Sequence, residues 1–171
     1  MSETNFNLAL VTGASRGIGA AIADELAANG YFVVGTATSE AGAQAIGERL
    51  GAHGCGRVLD VADAAAIDAL VESVEKEFGA VRVLVNNAGI TRDQLLLRMK
   101  DDDFAAVINT NLASVFRLSK AVMKRMLRER QGRIISIASV IGLTGNAGQA
   151  NYAAAKAGII GFTKSLAREV G

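Results

Sequence analysis

Short apolar runs alternate with longer amphipathic segments along the whole chain, and this alternation restricts the fold more than any other feature. Leu8-Ala9-Leu10-Val11 reads as a buried strand, followed by a Gly-rich turn and a helix through about Asn29. Tyr31-Phe32-Val33-Val34-Gly35 reads as a second strand, with a helix near Ala41 to Leu50. Gly56-Arg57-Val58-Leu59-Asp60 is the third predicted strand, and Ala64 to Phe78 the third helix. Ile67, Leu70, Val71, Val74 and Phe78 recur there at helical spacing. Arg82-Val83-Leu84-Val85 is the fourth strand. Residues 101 to 130 are predicted helical with a break near Asn111. Arg133 to Ala138 makes the fifth strand and Tyr152 to Val170 the last helix.

Strands that are apolar on both faces and separated by helices predict a parallel sheet covered on both sides. Right-handed crossovers then give an α/β, doubly wound sheet of Rossmann type. A length of 171 residues, without repeats or linkers, predicts a single domain over 1–171. With 18 Lys+Arg against 17 Asp+Glu, the chain lacks the basic excess a nucleic-acid partner requires. Cys55 and His53 are the only residues of their types, which excludes an internal disulfide, a His-dependent triad and Cys- or His-cluster metal sites. No metal is expected. No apolar run approaches the roughly 20 residues that span a bilayer. The Met1-Ser2-Glu3-Thr4-Asn5 start lacks the basic region of a signal peptide, so the expectation is a cytoplasmic protein without a membrane partner.

Chemistry enters at the strand ends. The first turn reads Thr12-Gly13-Ala14-Ser15-Arg16-Gly17-Ile18-Gly19. Its glycines allow a tight turn and close backbone approach, and a helix N-terminus there faces a diphosphate. After the second strand stands Gly35-Thr36-Ala37-Thr38-Ser39, where a site for the unphosphorylated dinucleotide would offer an acid to the ribose 2′-hydroxyl. Hydroxyls and Arg16 favour a 2′-phosphate instead, hence NADP(H). Glu40 then falls in the next helix, and Thr38 and Ser39 serve equally as caps of that helix. Asp60-Val61 ends the third strand, where a carboxylate can accept from an adenine amino group while Val61 packs on the ring. The alternative is that Asp60 caps a helix. Asn86-Asn87-Ala88-Gly89 ends the fourth strand as a side-chain-fixed ligand site or as a polar turn.

Tyr152-Ala153-Ala154-Ala155-Lys156 places a phenol and an ammonium one turn apart on one helix face. An ordinary tyrosine is a poor acid at neutral pH, and a neighbouring ammonium stabilises its phenolate. Ser139 could donate to the same substrate oxygen, and Asn111 could order a water beneath Lys156. Taken alone, Tyr152 and Lys156 fit a surface pair. A dinucleotide turn in the same sheet favours catalysis.

Together these pieces resemble the short-chain dehydrogenase/reductase family over essentially the whole chain. The resemblance implies a catalytic tetrad of Asn111, Ser139, Tyr152 and Lys156, with Ser139 and Tyr152 on the substrate. It implies a dinucleotide on Gly13, Ala14, Ser15, Arg16, Gly17, Ile18, Gly19, Thr38, Asp60, Val61, Asn87, Ala88, Gly89, Tyr152 and Lys156. Gly89-Ile90-Thr91-Arg92-Asp93, Arg98-Met99-Lys100 and Gly148-Gln149-Ala150-Asn151-Tyr152 are similar to the bacterial members that reduce 3-oxoacyl thioesters on an acyl carrier protein in fatty acid synthesis. Other ketones, acetoacetyl-CoA among them, are the alternative substrates, and a non-catalytic nucleotide-binding fragment is the alternative function. Members continue past the last helix into a sixth strand, a substrate-covering helix and a seventh strand. Their absence before Gly171 predicts an unpaired edge on strand five and helps explain the lack of proline.

Lys124, Arg125, Arg128 and Arg130 crowd one helix end. They fit a solvated C-terminus, whose dipole favours cations. They equally fit a docking patch beside the site entrance for an acidic carrier, and by resemblance Arg130 is its docking residue. The resemblance also implies a homo-oligomer, a dimer of dimers formed through the last two long helices.

Overall fold

The computed structural model describes residues 7–171. In chain order the first half holds β1 (Leu8–Val11), α1 (Gly17–Ala28), β2 (Phe32–Ala37), α2 (Glu40–Leu50), β3 (Gly54–Val58), α3 (Ala64–Phe78) and β4 (Val81–Asn86). After it come α4 (Asp101–Ile108), a π-helical turn at Asn109–Ala113, α5 (Ser114–Glu129), β5 (Arg133–Ser136), α6 (Ile141–Thr144) and α7 (Ala150–Val170).

β1 is apolar and buried at every position, and alternate residues of a strand face opposite ways, so both of its faces must be covered. Leu8 and Leu10 pack with Ile67, Leu70 and Val74 of α3 and with Leu118 and Val122 of α5. Ala9 and Val11 pack on the other face with Ala23 of α1 and Ile46 of α2. The strands are all parallel, in the order β3-β2-β1-β4-β5. Successive crossovers run one way from β1 and then return to its other side. The crevice beyond the carboxyl ends of β1 and β4 is therefore the place where such a sheet binds ligands.

The doubly wound parallel sheet is as expected, and α3 covers the expected residues. Its N-cap is Asp63, whose Oδ1 accepts from the Ala65 and Ala66 amides at 2.9 and 3.1 Å. Asp60 is therefore not a helix cap. β3 lies earlier than predicted. Its ladder with β2 ends where the Leu59 amide donates to the Ala37 carbonyl at 2.8 Å, because β2 offers no strand residue beyond Ala37. Asp60 and Val61 consequently sit in a loop rather than on the strand. The break near Asn111 is a π turn rather than a helix end, and α6 was not expected.

Among the described residues β5 pairs only with β4, and Ile135 is 47% exposed. Beside it, between the ends of α5 and α7, runs a groove of about 630 Å3 bordered by Met123, Arg130, Ile134, Phe162 and Val170. Ser139, Tyr152 and Lys156 do not line that groove. Among the described residues no helix is long and apolar enough to cross a membrane.

Candidate active site

The turn after β1 is held by side chains from across the sheet. Asn87, just past β4, donates through Nδ2 to the carbonyls of Thr12 and Gly13 at 3.0 and 3.1 Å. Thr12 Oγ1 in return accepts from the Asn87 and Ala88 amides at 3.0 and 3.1 Å. Gly13 has φ +65° and Gly17 φ +59°, in the left-handed region that glycine adopts at no steric cost. A Cβ on Gly19 would lie 2.2 Å from the Gly13 carbonyl oxygen, so only glycine lets α1 start this close to the turn.

The π turn brings in Asn111, 1% exposed. Its Oδ1 accepts from the Ile90 amide and its Nδ2 donates to the Ile90 carbonyl, both at 2.8 Å. This two-bond clamp seats the Asn86–Gly89 segment against the start of α5. The ladder slips here to i−5 spacing, the Ser114 amide reaching the Asn109 carbonyl.

Lys156 is 5% exposed on the inner face of α7. Its Nζ donates to the Ile137 carbonyl at 2.6 Å and lies 5.6 Å from the centre of the Tyr152 ring. Burial, which disfavours the charged form, pushes the Lys156 ammonium below the ordinary lysine pKa. The Ser139 hydroxyl oxygen accepts from the Ile141 amide at 3.2 Å, which leaves its proton free to donate outward. A Cβ on Gly142 would lie 2.7 Å from the Ala157 nitrogen, so α6 rests directly on α7 beside Lys156.

A family model described as short chain dehydrogenase matches residues 7–171. The chain belongs to the short chain dehydrogenase family. It is 66% identical over 163 residues to the 3-oxoacyl-[acyl-carrier-protein] reductase FabG of Escherichia coli, an alignment covering 95% of this chain and 67% of that protein. It is 62% identical over 163 residues to the reductase of the same name from Vibrio cholerae, covering 95% and 67%. Against the one from Pseudomonas aeruginosa it is 59% identical over 167 residues, covering 96% and 68%. The chain thus spans about two thirds of the length of these relatives.

This short chain dehydrogenase is an oxidoreductase whose family implies a nicotinamide cofactor. The residues fit one. α1 begins without a capping side chain and without an acid in its first turn, so its N–H groups are left for an anion. Thr38 and Arg16 are exposed nearby, and Arg16 makes no side-chain bond among the described residues.

Several expectations need correction. Thr36 is 1% exposed and its Oγ1 accepts from the Gly13 amide at 3.4 Å, so it supports the turn and cannot meet a 2′-phosphate. Ser39 caps α2 by accepting from the Gly42 amide at 3.2 Å, and Glu40 opens that helix as expected. Val61 is 4% exposed within the core, so its side chain does not pack on an adenine ring. Asp60 accepts from the Ala62 amide at 2.9 Å. Both polar atoms of the Asn111 side chain bond to Ile90, so that side chain serves the turn rather than a water beneath Lys156.

The basic cluster divides. Arg125 is engaged with Glu129 at 3.2 Å and with the Glu75 carbonyl at 3.3 Å. Arg130 is exposed with φ +51° and precedes β5, at the amino end of the sheet. Tyr152 follows the carboxyl end, so within one chain Arg130 does not stand beside the site entrance.

Sequence reasoning missed Asn151 as a support. It is fully buried, and its Nδ2 donates to the Arg92 carbonyl at 2.9 Å. With the Gln94 amide donating to Gly148 at 2.8 Å, it ties the segment after β4 to the helix that carries Tyr152. A polar residue facing inward beside Tyr152 was the available signal.

Proposed function

We propose that the protein reduces 3-oxoacyl-[acyl-carrier-protein] to the 3-hydroxyacyl form with NADPH, as a step of fatty acid synthesis. The observation that carries this reading is the buried Lys156, anchored on the Ile137 carbonyl and 5.6 Å from the Tyr152 ring centre. The names of the relatives at 58–66% identity support the substrate class.

Gly13, Ala14, Ser15, Arg16, Gly17, Ile18 and Gly19 hold the diphosphate end, with Asn87 and Ala88 bracing the turn. Thr38 and Arg16 meet the 2′-phosphate, Asp60 the adenine amino group, and Gly89 borders the nicotinamide side. When bound, the reduced nicotinamide supplies the hydride that goes to the ketone carbon. Ser139 donates a hydrogen bond to the ketone oxygen and fixes its position. Tyr152 gives its phenolic proton to that oxygen as negative charge develops there, yielding the alcohol. The Lys156 ammonium steadies the phenolate left behind, and Asn111 holds the turn that closes this end of the site. Val140 and Leu143, 65% and 75% exposed around α6, offer apolar surface to the acyl chain.

On this reading the enzyme is a cytoplasmic homotetramer, and Arg130 of one protomer contacts the acidic carrier bound at another protomer's site. The deciding assay gives the protein 3-oxoacyl groups on carrier protein, on coenzyme A and on a short free thioester, each with NADPH and with NADH. Highest kcat/KM on the carrier substrate with NADPH is expected. Equal use of NADH, or a preference for coenzyme A, would overturn the corresponding part of the reading. Arg130→Glu should weaken only the carrier reaction, and less so as salt is raised.

A further inference from the structure

We propose that Arg49 is a positioning residue for the dinucleotide turn, a role that rests on the cofactor reading above. Three successive carbonyls of the turn are held from behind. Asn87 takes those of Thr12 and Gly13, and Arg49 takes the third, its Nη2 donating to the Ala14 carbonyl at 2.7 Å. The Ala14 amide meanwhile donates to the Thr36 carbonyl at 2.8 Å, so both polar groups of this fully buried residue are fixed.

The consequence follows from peptide geometry. In a planar trans peptide the C=O and the following N–H point opposite ways. Drawing the Ala14 oxygen toward Arg49 therefore aims the Ser15 N–H the opposite way, and Ser15 is exposed past the carboxyl end of β1, where the cofactor reading would put the anionic end of a dinucleotide. The guanidinium also offsets the partial negative charge of a carbonyl that would otherwise repel that anion.

Arg49 is itself aimed. It rises from the last turn of α2, and its Nε donates to Asp24 Oδ1 of α1 at 2.8 Å. A planar guanidinium can satisfy a carboxylate and a carbonyl through two of its nitrogens at once; a lysine ammonium is a point charge without that fork. Asp24 and Ala14 therefore determine the orientation of Arg49 together. Neither the glycine pattern nor the spacing of the turn points to this residue, which comes from the next helix but one surface away.

The test compares the parent with Arg49→Met, Arg49→Lys and Asp24→Asn. NADPH affinity is read from the fluorescence of the bound cofactor, and exchange of the Ser15 amide is followed without cofactor. Losing a charge-assisted hydrogen bond predicts a rise in Kd of about tenfold for Arg49→Met. Smaller rises are expected for Arg49→Lys and Asp24→Asn, with faster Ser15 exchange in the same order. KM for NADPH should rise with Kd while kcat holds at saturation, a split that general loosening of the fold would not produce. An unchanged Kd in Arg49→Met, or losses in kcat matching those in affinity, would overturn the role. If Arg49→Met does not fold, the same outcomes are read from Arg49→Lys and Asp24→Asn. A parent that binds neither NADPH nor NADH would instead overturn the cofactor reading.

Discussion

The glycine turn and the region from β5 to the start of α7 border the same crevice but are built in opposite ways. At the turn, the Thr12 and Gly13 carbonyls, the Thr12 hydroxyl and the Gly13 amide all meet protein partners. At the other, among the described residues, the Tyr152 phenol has no hydrogen-bond partner, Val140 and Leu143 are exposed, and β5 pairs with β4 alone. The first region is rigid scaffolding that presents amides. The second holds reactive side chains on a firm base, Lys156 and Asn151, while leaving their working atoms open. Binding geometry is thus assembled in advance, and the proton donor stays available for a substrate.

The comparison breaks most visibly at Tyr152. Tyr152→Phe should keep dinucleotide binding and lose turnover by about 10²–10⁴-fold, the range for a general acid. Steady-state rates and a cofactor titration decide it; near-normal kcat would remove Tyr152 from the chemistry.

Gly19→Ala probes the turn. Alanine favours a helix by about 1 kcal/mol over glycine. Against that, the new Cβ would meet the Gly13 oxygen at 2.2 Å and Asn87 Nδ2 at 2.4 Å. The clash should win, with a net loss on the order of 1–3 kcal/mol in chemical unfolding together with weakened cofactor binding. Unchanged stability and binding would show that the turn has room to move.

Lys156→Met sharpens the contrast through pH. Burial lowers the Lys156 pKa, so in the window just below the ordinary lysine value the unfolded chain binds more protons than the folded one. Stability conferred through this group therefore rises with pH across that window. Relative to Lys156→Met, the parent should gain stability as pH rises toward about 10, the ordinary lysine value. Parallel denaturation midpoints for the two proteins would contradict this.

The smallest effect is expected at Ile135 of β5. Ile135→Lys should change unfolding free energy by only about 0.5 kcal/mol, since the side chain is half exposed. Chemical unfolding of the two proteins side by side measures it. A large loss of stability would mean that Ile135 is covered in solution.

Much of the fold was legible because its signals are local. The bounds of α3 follow from apolar residues at helical spacing behind Asp63, and β1 from four consecutive buried apolar residues. β3 was misplaced because Gly54-Cys55-Gly56 carries little apolar signal and because the strand's end is decided by its partner β2. α6 has only four residues and forms where the Ile141 amide donates to the Ser139 hydroxyl and Gly142 lies against α7. The Tyr152–Lys156 pair was readable because four residues is one helical turn.

Which residues could do chemistry was already written in the chain: glycines where the backbone must come close, and a phenol and an amine one turn apart. How their atoms are used depends on the folded chain. It turned Thr36 inward onto Gly13, sent Val61 into the core, put Arg130 at the far end of the sheet, and committed Asn111 to Ile90. The physical reason is that a buried polar atom must find a partner, and the nearest one in space bears no relation to the nearest in sequence. Asn87 grips the Thr12 carbonyl across 75 positions of chain, a bond that exists only because β1 and β4 lie side by side.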